Sequence, residues 1–267
     1  MPEYQGATGL MPVLFVGHGS PMNAIEENEF VNGWRKIASS IPRPEAILCI
    51  SAHWETRGTM VTAMEKPQTI HDFGGFPESL YQVEYPAPGD PGLAKKARAA
   101  VMNTEVALDS GWGLDHGCWS VVARMYPKAD IPVVQMSLNY LASPRDHYDL
   151  ASQLASFRGK GVLVMGSGNF VHNLRLIDWN KGDKPGNGYD WAMEANDKMK
   201  RLIMEGDHKS LINFRSQGRA FDLAIPTPEH YLPLLYILAL KKEGEGIEFY
   251  NDEAVMGSLT MTSVKIG

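Results

Sequence analysis

The sequence predicts an α/β fold: a single domain with a central mixed, largely parallel sheet flanked by helices. Short apolar runs bounded by glycine, proline or polar residues recur along the chain, at 12–17, 46–51, 60–64, 131–138 and 161–167. These runs are continuously apolar rather than alternating, which is typical of strands buried on both faces. Segments with helical spacing separate the runs, and this alternation indicates helices packed on a sheet.

The elements follow one another in a regular order. Helical spacing predicts helices at 27–39, 91–103, 118–125, 145–157, 188–205 and 229–241. Thr227 is the expected N-cap of the last helix, with Pro228 in its first turn. The segments GIEFYND and SLTMTSVKIG predict two further strands, an antiparallel pair on the sheet edge.

The chain shows no internal repeat and no serine-rich or proline-rich linker. The polar, glycine-rich stretch at 180–190 is interpreted as a surface loop within the domain. We therefore predict an N-terminal tail over 1–10 and one domain over 11–267.

Composition restricts the class of partner. The 267 residues are 44% hydrophobic and 21% charged, which is ordinary for a folded globular protein. The net charge of −6 comes without a long basic run, so no nucleic-acid partner is expected. The longest apolar stretch, at 231–240, is shorter than the roughly 20 residues of a membrane helix, and no secretory signal is visible. These features predict a cytoplasmic protein with a small-molecule ligand and no membrane partner.

Three histidines follow predicted parallel strands. His18 comes directly after PVLFVG, His53 after AILCISA, and His172 a few residues after GVLVMGS. Ligands of open α/β sheets bind outside the carboxyl ends of the strands, so we expect these imidazoles to meet at one edge. Glycines in GHGS and GSGNFVHN allow the backbone to approach a ligand closely. The pattern indicates a functional histidine cluster.

Two other segments fit the same cluster. His116 lies in LDHGCWS at the start of a predicted helix, and Glu229 and His230 lie in PTPEHYLPLLY. Neighbours on a helix point about 100° apart, so only one of Glu229 and His230 is expected to face the site. Converging imidazoles without thiolates suit Zn(II) or Fe(II) rather than calcium or magnesium.

The remaining histidines divide into two groups. His71 lies in TIHDFGGFPESLY, either in a loop over a pocket or in a packed surface loop. His147 and His208 lie among charged residues on predicted helices and are expected to be solvated.

The stretches GHGSPM, SAHWETRGTMVTA, TIHDFGGFP, YPAPGDP, WGLDHG, SGNFVHNLR and PTPEHYLPLLY together resemble the class III extradiol ring-cleavage dioxygenases. The resemblance is nearest to their 4,5-DOPA extradiol dioxygenase subgroup, which is LigB-like, and it covers about residue 11 to the end. It implies an α/β sandwich around a mixed sheet and a catalytic role for the domain at 11–267.

The resemblance also implies site residues. His18 and His53 match the first two metal ligands, and His230 matches the third, with Glu229 as the alternative. His172 matches the acid/base histidine, close enough to the metal to ligate when substrate is absent. His116 matches a second histidine that contacts substrate or assists proton transfer. Residues beside these motifs are candidates for lining the substrate pocket: His71, Trp54, Phe73 and Tyr231.

The implied function is insertion of both atoms of O2 into a catechol, DOPA-like or caffeate-like, to give a muconic semialdehyde. Fe(II) would support this activity, and the neutral ligand set also accepts Zn(II). The alternatives are a zinc hydrolase that uses the same cluster to activate water and a metal-dependent binding protein without turnover. The expected partners are a small aromatic diol and O2, and the expected assembly is a monomer or small homo-oligomer.

Overall fold

The computed structural model describes residues 9–182 and 184–267. Residues 1–8 of the predicted tail and residue 183 of the predicted loop lie outside the described residues. The strands are β1 Val13–Gly17, β2 Ala46–Thr56, β3 Thr59–Thr62, β4 Gln68–Thr69, β5 Val106–Asp109, β6 Gly113–Leu114, β7 Val133–Asn139, β8 Val162–Gly168, β9 Ile247–Tyr250, β10 Ala254–Val255, β11 Leu259–Thr260 and β12 Ser263–Ile266.

The helices connect and cover the strands. They are α1 Glu29–Ser40, α2 Glu78–Tyr81, α3 Pro91–Ala100, α4 His116–Met125, α5 Pro144–Ser152, α6 Asp190–Glu205, α7 His208–Ile212, α8 Arg219–Ala224 and α9 Leu232–Ala239. Short 3-10 turns occupy Pro21–Ala24, Ala155–Lys160, Leu174–Leu176 and Phe214–Ser216. Within the described ranges, no helix is both long and apolar enough to cross a bilayer.

In the described part of the chain, the main sheet has eight strands in the order β5-β3-β7-β2-β8-β1-β12-β9. The central strands β7, β2, β8 and β1 are parallel, whereas β3 pairs antiparallel with β7. This mixed sheet confirms the predicted fold class. The last strands form the predicted antiparallel edge pair, β12 with β9, although β10 and β11 lie between them in the chain.

The sheet separates two hydrophobic cores. Leu48 and Ile50 of β2 pack with α9 on one face, whereas Ile47 and Cys49 pack with α1 and α4 on the other. This division follows from the alternation of side chains along a strand. All four side chains are fully buried, as the continuous apolar pattern predicts. The carboxyl ends of β1, β2 and β8 therefore rest on a rigid, doubly covered sheet.

Two predicted boundaries near the site are wrong. Helix α9 begins at Leu232 with Tyr231 as its N-cap, so Thr227 is not the cap. Residues 227–231 instead form a turn, in which the Tyr231 and Leu232 amides both donate to the Pro228 carbonyl. Strand β2 continues to Thr56, with a register shift between Ile50 and Glu55, so His53 lies within the strand rather than after it.

Candidate metal centre

His18 leaves β1 directly beside β8. Its Nδ1 lies 3.0 Å from Ser167 Oγ, and the Ser167 hydroxyl donates to the Gly117 carbonyl at 2.5 Å. A hydroxyl has one proton, so the Ser167 oxygen accepts its other bond from the His18 Nδ1–H group. The proton on Nδ1 leaves His18 Nε2 with a free lone pair. An oriented histidine with one bare nitrogen is the usual form of a metal ligand.

His53 faces His18 from the next strand but one in the sheet. The Nε2 atoms of the two rings are 3.0 Å apart. His53 Nδ1 lies 3.5 Å from Asp72 Oδ2 on its other side. Two lone pairs repel at such a distance, so the pair of nitrogens needs either one shared proton or a cation between them.

His230 completes this group from the turn before α9. Its Nδ1 lies 3.1 Å from Glu229 Oε1, which also accepts a bond from Thr227 Oγ1. Its Nε2 is buried and has no hydrogen-bond partner among residues 9–182 and 184–267. One ligand atom each from His18, His53 and His230 lie within 4.8 Å of one another. The orphaned nitrogen and this spacing fit a bound metal ion.

The backbone around His230 is held by a close approach to β8. The Asn169 amide donates to the His230 carbonyl at 2.9 Å. A Cβ atom on Gly168 would lie 2.1 Å from that carbonyl oxygen, so only glycine fits there. At the other end of the cluster, Gly19 has φ +58, a conformation that favours glycine directly after His18.

His172 stands against His230 and extends the cluster. The two rings are stacked, with centroids 3.4 Å apart and planes at 7°. The His172 backbone amide donates to the Ala224 carbonyl. His172, Glu229 and His230 form a second group whose ligand atoms lie within 4.8 Å. His172 is therefore close enough either to bind a metal or to exchange a proton with a molecule bound to one.

His116 begins α4 and lies next to both His53 and His18. Asp72 Oδ1 accepts a bond from the His116 backbone amide at 2.8 Å, and Asp72 Oδ2 accepts from His116 Nδ1 at 2.9 Å. The rings of His116 and His53 have centroids 3.8 Å apart. Burial raises the pKa of Asp72, but hydrogen bonds from His116 outweigh it and the net pKa is lowered. Asp72 is thus a carboxylate acceptor for His116 that also lies 3.5 Å from His53 Nδ1.

Asp115 fixes the start of α4 below the cluster. Its Oδ1 accepts bonds from Ser51 Oγ at 2.6 Å and from the Cys118 amide at 3.1 Å. Its Oδ2 accepts a bond from Gln135 at 2.7 Å. Asp115 is fully buried, and burial raises its pKa. The network ties α4 to β2 and β7, and so fixes the place of His116.

The buried histidines favour the neutral form. Burial, followed by repulsion from neighbouring imidazoles, lowers the pKa of His18 and of His230 well below the usual value. The same causes lower the pKa of His53 to about 3 and of His172 to about 4. Neutral imidazoles are the protonation state that binds a metal. The donor set therefore fits Zn(II) or Fe(II), as the composition of the cluster predicts.

Two of the predicted pocket residues, Phe73 and His71, lie in the loop that precedes α2. Phe73 contacts His116 edge-on, with ring centroids 5.6 Å apart. His71 binds the Val83 carbonyl through Nε2 and packs against Phe73 and Trp119. The loop therefore brings Phe73 to the cluster, while His71 serves to anchor it.

Trp54 and Tyr231 make packing contacts rather than contacts with the cluster histidines among the described interactions. Trp54 is buried in a stack on Trp112, with ring planes at 4°. It adjoins His53 on β2, where successive side chains point to opposite faces. Tyr231 is buried, packs on Phe214 and donates its hydroxyl to the Leu211 carbonyl. Both side chains are engaged in packing, and their role in substrate binding stays a prediction.

The prediction that His147 and His208 are solvated is also wrong. His147 is 1% exposed, and its Nδ1 lies 3.0 Å from the Tyr236 hydroxyl of α9. His208 is half-buried, with Nδ1 2.8 Å from the Tyr148 hydroxyl. The neighbouring charges concealed that α5 packs against α7 and α9. Neither histidine belongs to the cluster.

Residues 12–260 match the family described as the catalytic LigB subunit of aromatic ring-opening dioxygenase. The chain belongs to the LigB family. It is 46% identical over 261 residues to a protein of Escherichia coli (strain K12) named 4,5-DOPA dioxygenase extradiol, covering 96% of this chain and 95% of that protein. It is 35% identical over 260 residues to a protein of Beta vulgaris with the same name, covering 94% of each.

A solved structure supports the same relationship. A crystal structure of an uncharacterized protein from Escherichia coli K12 matches this LigB-family chain with a TM-score of 0.83 and 41% identity. The match covers 96% of this chain and 100% of that one. Membership in the LigB family confirms the resemblance that the sequence motifs predict. It also confirms that the protein is an aromatic ring-opening dioxygenase.

Several site residues were not singled out by the sequence. Asp72 stands in a quoted motif beside His71, but its contacts with His53 and His116 cross 19 and 44 positions of chain. Ser167 and Asp115 likewise act through distant partners. The only available signal was their place in motifs that already carried a histidine.

Proposed function

We propose that this protein is a non-haem, metal-dependent extradiol dioxygenase. It would open a catechol ring between a hydroxyl-bearing carbon and the adjacent ring carbon that carries no hydroxyl. Two observations carry the proposal. The Nε2 atoms of His18 and His53 face each other at 3.0 Å, and His230 joins them in a group whose ligand atoms lie within 4.8 Å, with its buried Nε2 lacking a partner among the described residues. Such a set of three protein ligands leaves coordination positions for both catechol oxygens and O2. The product would be a muconic semialdehyde.

The proposed ligands are His18, His53 and His230, each through Nε2. Glu229 then acts as the hydrogen-bond acceptor for His230 Nδ1 rather than as a ligand. When bound, the metal supplies Lewis acidity toward the catechol hydroxyls and, as Fe(II), the one-electron chemistry that O2 requires. Zn(II) fits the same donors and supplies only the first of these, so we propose Fe(II) for the dioxygenase activity.

His172 is the proposed acid/base residue. Its pKa of about 4 keeps the imidazole neutral at neutral pH, so it can accept a proton from a catechol hydroxyl. Its stacking on His230 holds it beside the proposed ligand set. The imidazolium so formed can return that proton to an oxygen of the ring-opened product. A general base must lie within hydrogen-bond reach of the proton that it takes, and the contact with His230 supports His172 in that role.

His116 and Phe73 are the proposed substrate contacts beside His53. His116 can accept a hydrogen bond from the substrate through Nε2, and the Phe73 ring offers an apolar surface for a planar ligand. The relatives named 4,5-DOPA dioxygenase extradiol support a catechol with a side chain, DOPA-like or caffeate-like, as substrate. A cytoplasmic location and a monomeric or small homo-oligomeric state remain predictions.

The deciding experiment compares metal forms of the same protein. The metal-free protein is loaded anaerobically with Fe(II), mixed with L-DOPA, caffeate or 4-methylcatechol, and exposed to air. We expect O2 uptake with each catechol, matched by a yellow product. With caffeate or 4-methylcatechol, the mass of that product should equal substrate plus both oxygen atoms. Protein loaded with Zn(II) should give neither signal, and the His18→Ala variant treated with Fe(II) is the control for iron free in solution.

The other readings give different outcomes. A hydrolase would leave O2 untouched and cleave ester or lactone substrates in the Zn(II) form. A binding protein would perturb the catechol spectrum without turnover under either metal. Absence of O2 uptake by fully iron-loaded protein across the catechol panel would end the dioxygenase proposal.

A further inference from the structure

One carboxylate touches both a proposed metal ligand and a proposed substrate-contacting histidine. Asp72 Oδ2 lies 2.9 Å from His116 Nδ1 and 3.5 Å from His53 Nδ1, while Oδ1 accepts the His116 backbone amide at 2.8 Å. The Asp72 side chain is 16% exposed and that of His116 is 8% exposed. These short contacts are therefore largely shielded from water, which strengthens them.

The arrangement determines where the proton of His116 lies. An ionised carboxylate only accepts hydrogen bonds, so the nitrogen that faces it must carry hydrogen. His116 is then the Nδ1–H tautomer, and its Nε2 keeps the lone pair. That Nε2 has no hydrogen-bond partner in residues 9–182 and 184–267. It is free to accept a bond from a substrate hydroxyl.

We propose that Asp72 is a positioning residue that fixes the tautomer and orientation of His116 and holds it against His53. It acts through His116, and it need not touch the substrate. The proposal rests on the proposed dioxygenase function for its kinetic consequence, but its structural consequence is independent of that function.

Asp72→Asn gives a specific expected failure. An amide has one accepting oxygen and one donating NH2 group. If the oxygen keeps the His116 backbone amide, the NH2 group faces His116 Nδ1, the nearer of the two ring nitrogens, and donates to it. His116 must then move its proton to Nε2, where it can no longer accept a bond from the substrate. The side chain has nearly the same size, so the packing around it should be retained.

The first readout is the tautomer itself, measured without turnover. Histidine is labelled with ¹⁵N, and the Zn(II)-loaded protein is examined by long-range ¹H–¹⁵N correlation spectra, with His116→Gln to assign the signals. We expect a protonated Nδ1 in the wild type and a protonated Nε2 in Asp72→Asn. A purely structural role for Asp72 would leave the tautomer unchanged, and that result would overturn the proposal.

The second readout is kinetic, on Fe(II)-loaded protein with the best catechol of the panel. Loss of the hydrogen-bond acceptor that His116 Nε2 offers the substrate should lower kcat by about 100-fold, with KM changed by less than about threefold. Asp72→Glu keeps the charge and should retain the Nδ1–H tautomer and at least about a tenth of kcat. Asp130→Asn removes an aspartate from an exposed ion pair with Arg43 and serves as the matched control.

The two readouts separate the possible failures. If no catechol is cleaved by the wild type, the dioxygenase proposal fails while the tautomer test still stands. A changed tautomer with unchanged kcat would overturn the role of Asp72 in the reaction. Should Asp72→Asn fail to fold, the Asp72→Glu variant tests the proposal instead. If His116 in that variant is protonated on Nε2 and the enzyme is fully active, the proposed role of Asp72 is wrong.

Discussion

The rings of His172 and His230 lie parallel, with centroids 3.4 Å apart and an interplanar angle of 7°. Of these two residues, only His230 has a ligand atom in the group with His18 and His53. His172 belongs to a different group of potential ligands, together with Glu229 and His230. The contact therefore places an acid/base candidate directly on a ligand candidate. It distinguishes two roles for two neighbouring imidazoles, and the distinction can be measured.

His172→Ala should bind about one metal ion per chain and lose catechol turnover by at least about 100-fold, because it removes proton transfer and not a ligand. His18→Ala should lose the metal itself. Metal content after dialysis and O2 uptake with Fe(II) measure the two effects. His208→Ala is the control, since it removes a histidine outside the cluster. Equal metal loss in His172→Ala and His18→Ala would place His172 among the ligands.

Ser167→Ala should weaken metal binding by about 10-fold to 100-fold, as expected for loss of a group that orients a metal-binding histidine. The reason is that the Ser167 oxygen accepts the His18 Nδ1–H bond and so directs Nε2 toward the metal. Competition against a chromophoric chelator measures the affinity. Ser152→Ala, at an exposed helix end, is the matched control, and equal affinities in the two variants would contradict the assigned orientation.

Glu229→Gln tests which member of the Glu229–His230 pair binds metal. A glutamine oxygen can still accept the His230 Nδ1–H bond, so we expect one bound metal and an affinity loss of at most about 10-fold. His230→Ala should lose the metal. The opposite order of affinities would show that Glu229 is the ligand.

Part of this site follows directly from sequence. His18 and His172 could be placed because parallel strands end at one edge of the sheet, and an apolar run marks each strand. His53 was assigned to the same edge, although its strand runs on past it through a register shift. The place of a residue along a strand can be predicted because the spacing of apolar residues in the neighbouring sequence marks the strand.

The rest depends on contacts that no local pattern contains. Asp72 meets His116 across 44 positions of chain, and Ser167 meets His18 across 149. Thr227 has the chemistry of an N-cap, but its hydroxyl bonds Glu229 instead, and the helix begins at Leu232. His147 was misjudged for a similar reason, since the charged residues beside it gave no sign that its own side chain packs on Tyr236.

Gly168→Ala should disrupt the cluster through the backbone. The added Cβ would lie 2.1 Å from the His230 carbonyl oxygen, a backbone atom that can move only if His230 moves. We expect a loss of stability of about 1–3 kcal/mol, typical of overpacking, together with weaker metal binding. Thermal unfolding with and without metal measures both. Gly74→Ala is the control, because nothing lies within 4 Å of its added Cβ, and equal behaviour of the two variants would refute the close approach.

His147 should make the stability of the metal-free protein depend on pH. Burial lowers its pKa to about 4, against the smaller opposing effects of the Asn139 backbone and the Asp146 charge. The unfolded chain has an ordinary histidine pKa of about 6.5, so between these values the unfolded state binds more protons. The free energy of unfolding therefore falls as the pH drops from about 6.5 toward about 4.

His147→Asn removes this titration while its amide can still bond the Tyr236 hydroxyl. Urea unfolding at about pH 7 and about pH 5 should show the wild type losing about 2 kcal/mol more than the variant over that interval. The cluster histidines titrate in both proteins, so their effect cancels in the comparison. Parallel stability curves for wild type and variant would mean that His147 takes up its proton in the folded state as readily as in the unfolded chain.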